Sequence, residues 1–216
     1  MEHDLSAVLA EVRAVAARPA RAQAASVDKD RAFPRETLNA LAQAGALGLL
    51  VPADAGGSGG ALSDLAEACE ELGAACASSA MVFLMHSVTA ATIAAGGGQR
   101  AGEILARMAT GEALGTLAFS ERGTGAHFYA PELRAQRSNG SLRVSGRKSF
   151  VTSGGEADVY LILVQGEAEG SADAYVLERD QEGISFDGEW EGLGMAGNSS
   201  IAMQLDDVVV GDAGCR

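Results

Sequence analysis

The chain has 216 residues, 47% of them hydrophobic, which is enough for a packed core and too apolar for a disordered segment. With 16 Lys and Arg against 29 Asp and Glu, its net charge of −13 repels nucleic acid and anionic membrane surfaces, so neither is an expected partner. The three cysteines, Cys69, Cys76 and Cys215, show no metal-ligand spacing; their odd number fits a reducing, cytoplasmic setting, with Cys69 and Cys76 as buried thiols on one helix face.

In chain order, the start MEHDLSAVLAEVRAVAARPA carries acids early and lacks the basic segment of a secretory signal. Leu5, Val8, Leu9 and Val12 recur at spacings of three and four, which predicts a helix. Pro34 suits the first turn of the next one, LNALAQAGALGLL follows, and Gly45 lies near a helix end. Val51 to Gly60, VPADAGGSGG, reads as a loop. A helix restarts at Ser63 or Asp64, either of which can cap it, and Glu67, Glu70 and Glu71 form a solvated face. Ala74 to Ala95 has no formal charge and is long enough to span a bilayer. Its Ala, Ser and Thr content, its His86, and ends without Lys, Arg, Trp or Tyr predict instead the buried helix of a bundle. GGGQR, Gly96 to Arg100, ends that helix, and AGEILARMATGE predicts a short amphipathic one.

After Gly111 the period changes. LGTLAF, ELRAQR, SLRVSG, KSFVTS, DVYLILVQ, ADAYVLE, ISFDG and SIAMQLDDVVV are short, β-prone and separated by turn signals such as Ser138-Asn139-Gly140. The fold class is α+β: an all-α helical domain over residues 1–112, then an antiparallel β-barrel or sandwich domain over residues 113–216. Between two of these strands lies FSERGTGAHF, residues 119–128. It is either a wide surface turn or a glycine-rich loop whose backbone N–H groups face an anionic or polar ligand. Between residues 133 and 155 stand Arg134, Arg137, Arg143, Arg147 and Lys148 with no acid. This window is a solvated hairpin face or a phosphate-attracting patch, and Arg143 and Arg147 share a side only if no bulge intervenes.

Helices first, then strands, with these words in these places, resembles the acyl-CoA dehydrogenase family of flavoproteins. ALGLLVPADAGGSGG resembles the family's glycine-rich loop after the early helix, and TGEALGTLAFSERGTG its helix-to-strand entry and flavin loop, T-E-P-x-x-G-S-D. VSGRKSFVTSGGEADVYLILV resembles G-x-K-x-W-I-T-x-x-x-x-A-D, and GLGMAGNSSIAMQLDDVVV the stretch that closes the β domain. The resemblance implies FAD bound by the β domain and an acyl-CoA or acyl-thioester substrate. Carried onto this chain, the first flavin segment runs from Leu117 to Ala126, through Phe119, Ser120 and Gly125; Ser120 stands where the family's Thr hydrogen-bonds the flavin. The second falls on Phe150, Val151 and Thr152, with Phe150 in place of the Trp that lies flat on the ring. Arg122, Ala126 and His127 replace the family's Pro, Ser and Asp, so Ala126 keeps only its backbone N–H for the substrate. Family members continue into a second helical bundle that carries the glutamate base. No Glu here matches it, and no catalytic residue is assigned. The implied reaction is α,β-desaturation, with a flavin monooxygenase or oxidase, or a non-catalytic partner subunit, as rivals. The expected state is a homo- or hetero-oligomer.

Overall fold

The computed structural model describes residues 4–138 and 140–211. Asn139 of the expected hairpin and Cys215 lie outside the described residues.

The first helix, α1 (Leu5–Val15), buries Val8, Val12 and Val15, as its periodicity requires, and Asp4 caps it by accepting the Ser6 N–H at 3.0 Å. A kinked segment around Pro19 leads to α2 (Arg21–Lys29), and α3 (Arg35–Gln43) buries Leu38 and Leu41. The glycine loop then folds back so tightly that a Cβ on Gly57 would lie 2.1 Å from the Val51 carbonyl oxygen, which only glycine permits. Helix α4 (Leu62–Ala75) starts one residue before the expected caps. Ala61 is its N-cap, and Asp64 reaches back from the third helical position to accept the Ala61 N–H at 2.7 Å. Glu67 and Glu71 pair with Arg13 of α1, so part of the expected solvated face is an interhelical contact. Cys69 lies half-buried within α4, whereas Cys76 is buried at the junction with the next helix; both are free thiols.

That next helix, α5 (Ala77–Gly96), is long and apolar enough to cross a membrane by length and composition. It packs against α4, against α6 (Ala101–Thr110) and against the first strand, burying Val82, Phe83, His86, Ala90 and Ile93. Its polar Ser79, Ser87 and Thr89 are also buried, so its uncharged character reflects burial on several sides.

The strands are β1 (Gly115–Ala118), β2 (Ala135–Ser138), β3 (Ser141–Val151), β4 (Val159–Gln165), β5 (Ala172–Glu178), β6 (Ile184–Asp187) and β7 (Ile201–Val210). They form two sheets, ordered β1-β4-β5 and β2-β3-β7-β6, whose inner faces share one core through Val144, Tyr160, Ile162, Leu177, Met203 and Val208. Two details differ from the sequence expectation. The β1–β4 pair is parallel, because β1 enters from the helical layer and docks beside a strand far along the chain. The sheets are open: one isolated bridge, Arg134 with Gln165, links them, and among the described residues no ladder closes a barrel. The stretches SLRVSG and KSFVTS, expected as separate strands, are one strand, β3, that shifts register between Val144 and Gly146 and again between Lys148 and Val151.

His86 joins the two layers. The Gly115 N–H of β1 donates to its Nδ1 at 3.0 Å, so Nε2 carries the proton and donates to the Leu47 carbonyl at 3.0 Å. Acceptance at Nδ1 requires the neutral ring, and burial pushes its pKa down from 6.5 to about 4 against the opposing pull of the Leu47 carbonyl. Between those values the unfolded chain binds a proton that the folded chain refuses. The stability from His86 is therefore complete above about pH 6.5 and is lost as pH falls towards 4, by about 3 kcal/mol at one pKa unit per ~1.4 kcal/mol. Urea unfolding of the wild type and His86→Gln at pH 7.5 and pH 4.5 checks this: the stability gap between them should narrow at the lower pH by about 2–3 kcal/mol. A gap independent of pH would mean that His86 is not held neutral.

Candidate functional site: a strained aromatic ledge

Two segments far apart in sequence meet at the end of β3. The Ser149 N–H donates to the Ser120 carbonyl at 2.8 Å, and the buried Thr116 hydroxyl donates to the Thr152 carbonyl at 2.6 Å. These bonds bring the loop after β1 against the residues that follow Lys148, so Ser120, Phe150 and Thr152 lie in one region. Phe150 is 67% exposed and its ring meets Trp190 edge-on, at 6.4 Å between centroids. Its backbone is left-handed, with φ of +54°. Ser153, Met195 and Ser199 are left-handed too, making four of the six non-glycine residues with positive φ among those described. They are tied together: the Ser153 N–H donates to the Asn198 carbonyl at 2.8 Å and the Gly154 N–H to the Ser199 carbonyl at 2.9 Å. Each such residue costs on the order of 1 kcal/mol, and clusters of this kind mark sites whose geometry serves a ligand.

Beneath the ledge the Tyr160 hydroxyl accepts the Gly155 N–H at 3.0 Å and donates to the Ser153 carbonyl at 3.2 Å; burial pushes its pKa well up, so it stays a donor. Ser200 gives its proton to Asn198 Oδ1, leaving its oxygen to accept from Thr152 Oγ1 at 3.2 Å. The Thr152 hydroxyl proton is thus turned inward, and among the described residues its backbone N–H has no acceptor. The Ser153 hydroxyl is buried without a partner among the described residues. Val151 is fully buried, so it can present only backbone. Leu117 and Phe119 are half-buried against the cluster around α6 and β4. In the loop, Gly125 (φ +54°) and Ala126 are exposed, and their N–H groups have no acceptor among the described residues. His127 is exposed and bonds the Tyr129 hydroxyl through Nδ1 at 2.9 Å. An exposed ring, free amide donors and apolar walls suit a planar heteroaromatic group with a polar edge.

Three of the five basic residues in the window are engaged in ion pairs. Arg143 pairs with Asp207 at 2.7 Å and Arg147 with Asp187 at 2.9 Å; the register shift between them adds its extra residue to β7, so the two arginines stay on one side of β3. Lys148 is fully buried and pairs with Glu121 at 2.5 Å. The sequence reading missed this pair because it took Lys148 as one member of a wet charge run. Strand parity carried the signal: Lys148 shares the inward side of β3 with Val144. The Glu121 carboxylate also accepts the Glu132 N–H at 2.9 Å and the Leu133 N–H at 3.1 Å, clasping both ends of the loop.

The model of the acyl-CoA dehydrogenase N-terminal domain matches residues 2–112, and that of the acyl-CoA dehydrogenase middle domain matches residues 116–208. The chain belongs to the acyl-CoA dehydrogenase family. Among relatives within and around this family, it is 29% identical over 204 residues to a cyclohex-1-ene-1-carbonyl-CoA dehydrogenase of Geobacter metallireducens, covering 92% of this chain and 54% of that protein. It is 33% identical over 201 residues to an amino sugar nitrososynthase of Streptomyces rubradiris, covering 88% and 46%. The structure of KijD3 in complex with FMN and a dTDP-linked amino-keto sugar superposes with a TM-score of 0.83 at 27% identity, covering 97% and 53%. The chain thus spans about half the length of the curated relatives it matches.

Within this acyl-CoA dehydrogenase fold, Phe150 is a strained surface residue and not a core one, so the 3–5 kcal/mol cost of truncating a core Phe does not apply to it. Phe150→Gly should leave stability unchanged or raise it by about 1 kcal/mol, since glycine accepts φ of +54° freely. Thermal unfolding checks this, and a loss above about 2 kcal/mol would show that the ring supports the fold.

Proposed function

We propose that the helical residues 1–112 and the β residues 113–216 are the flavin-carrying portion of an FAD-dependent acyl-CoA dehydrogenase-like oxidoreductase that desaturates an acyl thioester between Cα and Cβ. The observation that carries this reading is the ledge itself: Phe150 held exposed in a strained backbone, beside unpaired amide donors, in a chain of this family. When bound, the flavin supplies the two-electron acceptor for the hydride leaving Cβ. Phe150 covers one face of the ring, and Leu117 and Phe119 exclude water beside it. The backbone of Val151 and Thr152 and the hydroxyl of Ser120 meet the polar edge, with Gly125 and Ala126 offering N–H donors. The Ala126 N–H is also the donor available to the substrate thioester. Glu121 is no candidate for the base: it is buried, paired with Lys148 and bound to two amides. The base that takes the α-proton is assigned to no residue of this chain. The free thiols Cys69 and Cys76 suit a cytoplasmic setting, and exposed Leu62 and Leu193 suit a homo- or hetero-oligomer.

A second reading is a flavin-dependent monooxygenase of the same fold. Arg122, Ala126 and His127 change the loop that meets the substrate, and the nitrososynthase likeness points the same way.

Titration of FAD into the protein, followed by flavin fluorescence, tests the placement. An aromatic face contact of about 0.5–1.5 kcal/mol corresponds to roughly 2–10-fold in Kd, so folded Phe150→Ala should bind FAD more weakly by that factor. Unchanged affinity would remove Phe150 from the site. In the absence of oxygen, bleaching of bound flavin by butyryl-CoA supports desaturation, whereas bleaching only on addition of a reduced nicotinamide supports the monooxygenase.

A further inference from the structure

We propose that Lys148 is a positioning residue: by holding the Glu121 carboxylate inside the fold, it fixes the loop between Phe119 and Leu133 against the Phe150 ledge. The inference rests on the flavin reading for the ligand concerned, and on geometry for the rest.

The Lys148 ammonium is fully buried and has three partners: Glu121 Oε1 at 2.5 Å, the Leu163 carbonyl, and the Phe119 carbonyl at 3.4 Å. It therefore touches the first residue of the loop, the loop's only buried carboxylate and the β4 strand beneath. Glu121 then accepts the N–H groups of Glu132 and Leu133, where the loop returns. Two side chains thus clasp a loop that is otherwise held by short turns, Thr124 hydroxyl to Glu121 carbonyl and His127 N–H to Thr124 carbonyl, and at its return by the Gln165 N–H donating to the Leu133 carbonyl at 2.7 Å. Lys148 lies two residues before Phe150 on β3, and Ser149 between them bonds the Ser120 carbonyl. Any displacement of Lys148 moves both ligand-facing segments. Burial pulls the Lys148 pKa below that of an ordinary lysine while the Glu121 carboxylate opposes the shift, so each charge is kept in place by the other. Remove the lysine, and Glu121 becomes an unpaired buried charge whose cheapest recourse is to turn to water, releasing Glu132 and Leu133.

The test is hydrogen exchange and FAD titration on the wild type, Lys148→Met and Lys148→Arg. In Lys148→Met the Glu132 and Leu133 amides, whose acceptor is untouched by the substitution, should exchange about tenfold faster or more, while the amides of Val82 and Phe83 in α5 change by less than about twofold. Lys148→Arg keeps the charge and should recover most of the protection. FAD affinity should fall about tenfold in Lys148→Met and return towards wild type in Lys148→Arg. Unchanged exchange at Glu132 and Leu133, an equal rise in α5, or wild-type FAD affinity in Lys148→Met would overturn the proposal. If Lys148→Met does not fold, Glu121→Gln takes its place, with the same pattern expected at about threefold. A wild-type protein that takes up no FAD sinks the flavin reading and leaves the exchange pattern to decide the role of Lys148.

Discussion

The β half of this protein hangs on how β1 is anchored. Four residues, Gly115–Ala118, carry the chain from the helical layer into the first sheet, and the start of the strand is fixed by two bonds to side chains. The His86 ring receives the Gly115 N–H, and the Asp158 carboxylate receives the Leu114 N–H at 2.9 Å. Gly115 lies so close to α5 and α6 that a Cβ there would stand 2.4 Å from the Met108 methyl and 3.1 Å from that of Thr89. A methyl at 115 would have to displace the Met108 side chain, and a larger side chain would push β1 away from α5. Thr116 would then lose its reach to the Thr152 carbonyl, and the loop that starts at Phe119 would leave the ledge.

A second constraint is electrostatic. Burying an ammonium and a carboxylate costs several kcal/mol per ion unless both are paired and hydrogen-bonded, so the Lys148–Glu121 pair is weak evidence of stability. Its value is specificity: few arrangements satisfy three acceptors around one nitrogen and two amides at one carboxylate. The left-handed cluster at Phe150, Ser153, Met195 and Ser199 works in the same sense. Both features oppose folding locally and narrow the geometries open to the loop, and the two apolar cores underneath offset that cost.

Where the sequence was legible, the reason was periodicity. The buried face of α1 follows from apolar spacing, as does the switch from helices to strands after Gly111, whereas the burial of α5 follows from its uncharged composition and unanchored ends. The parallel docking of β1 was not legible, because a four-residue strand carries no mark of its distant partner. Nor was the unity of β3, where an extra residue between Lys148 and Val151 breaks the alternation that reveals a strand. At the site, the resemblance to the family's motifs put Ser120, Phe150 and Thr152 together, and the bonds through Ser149 and Thr116 give that nearness a physical basis. Lys148 was hidden by its basic neighbours Arg143 and Arg147, which do face outward and pair there with Asp207 and Asp187.

The pairing order of the strands also fixes a timetable. Leu114 must wait for Asp158, 44 positions further along the chain, and β3 must wait for β7, with Arg143 and its partner Asp207 separated by 64. Helices α1 to α6 contain mostly local contacts and can form while the rest is still being synthesised, at about 5–20 residues per second. The ledge cannot. Until residues near 210 have left the ribosome, β3 has no neighbour on the β7 side, and Phe150 is an aromatic residue on an unpaired strand edge. While β3 waits for β7, the segment that carries Phe150 is therefore open to chaperones and to pairing with other chains.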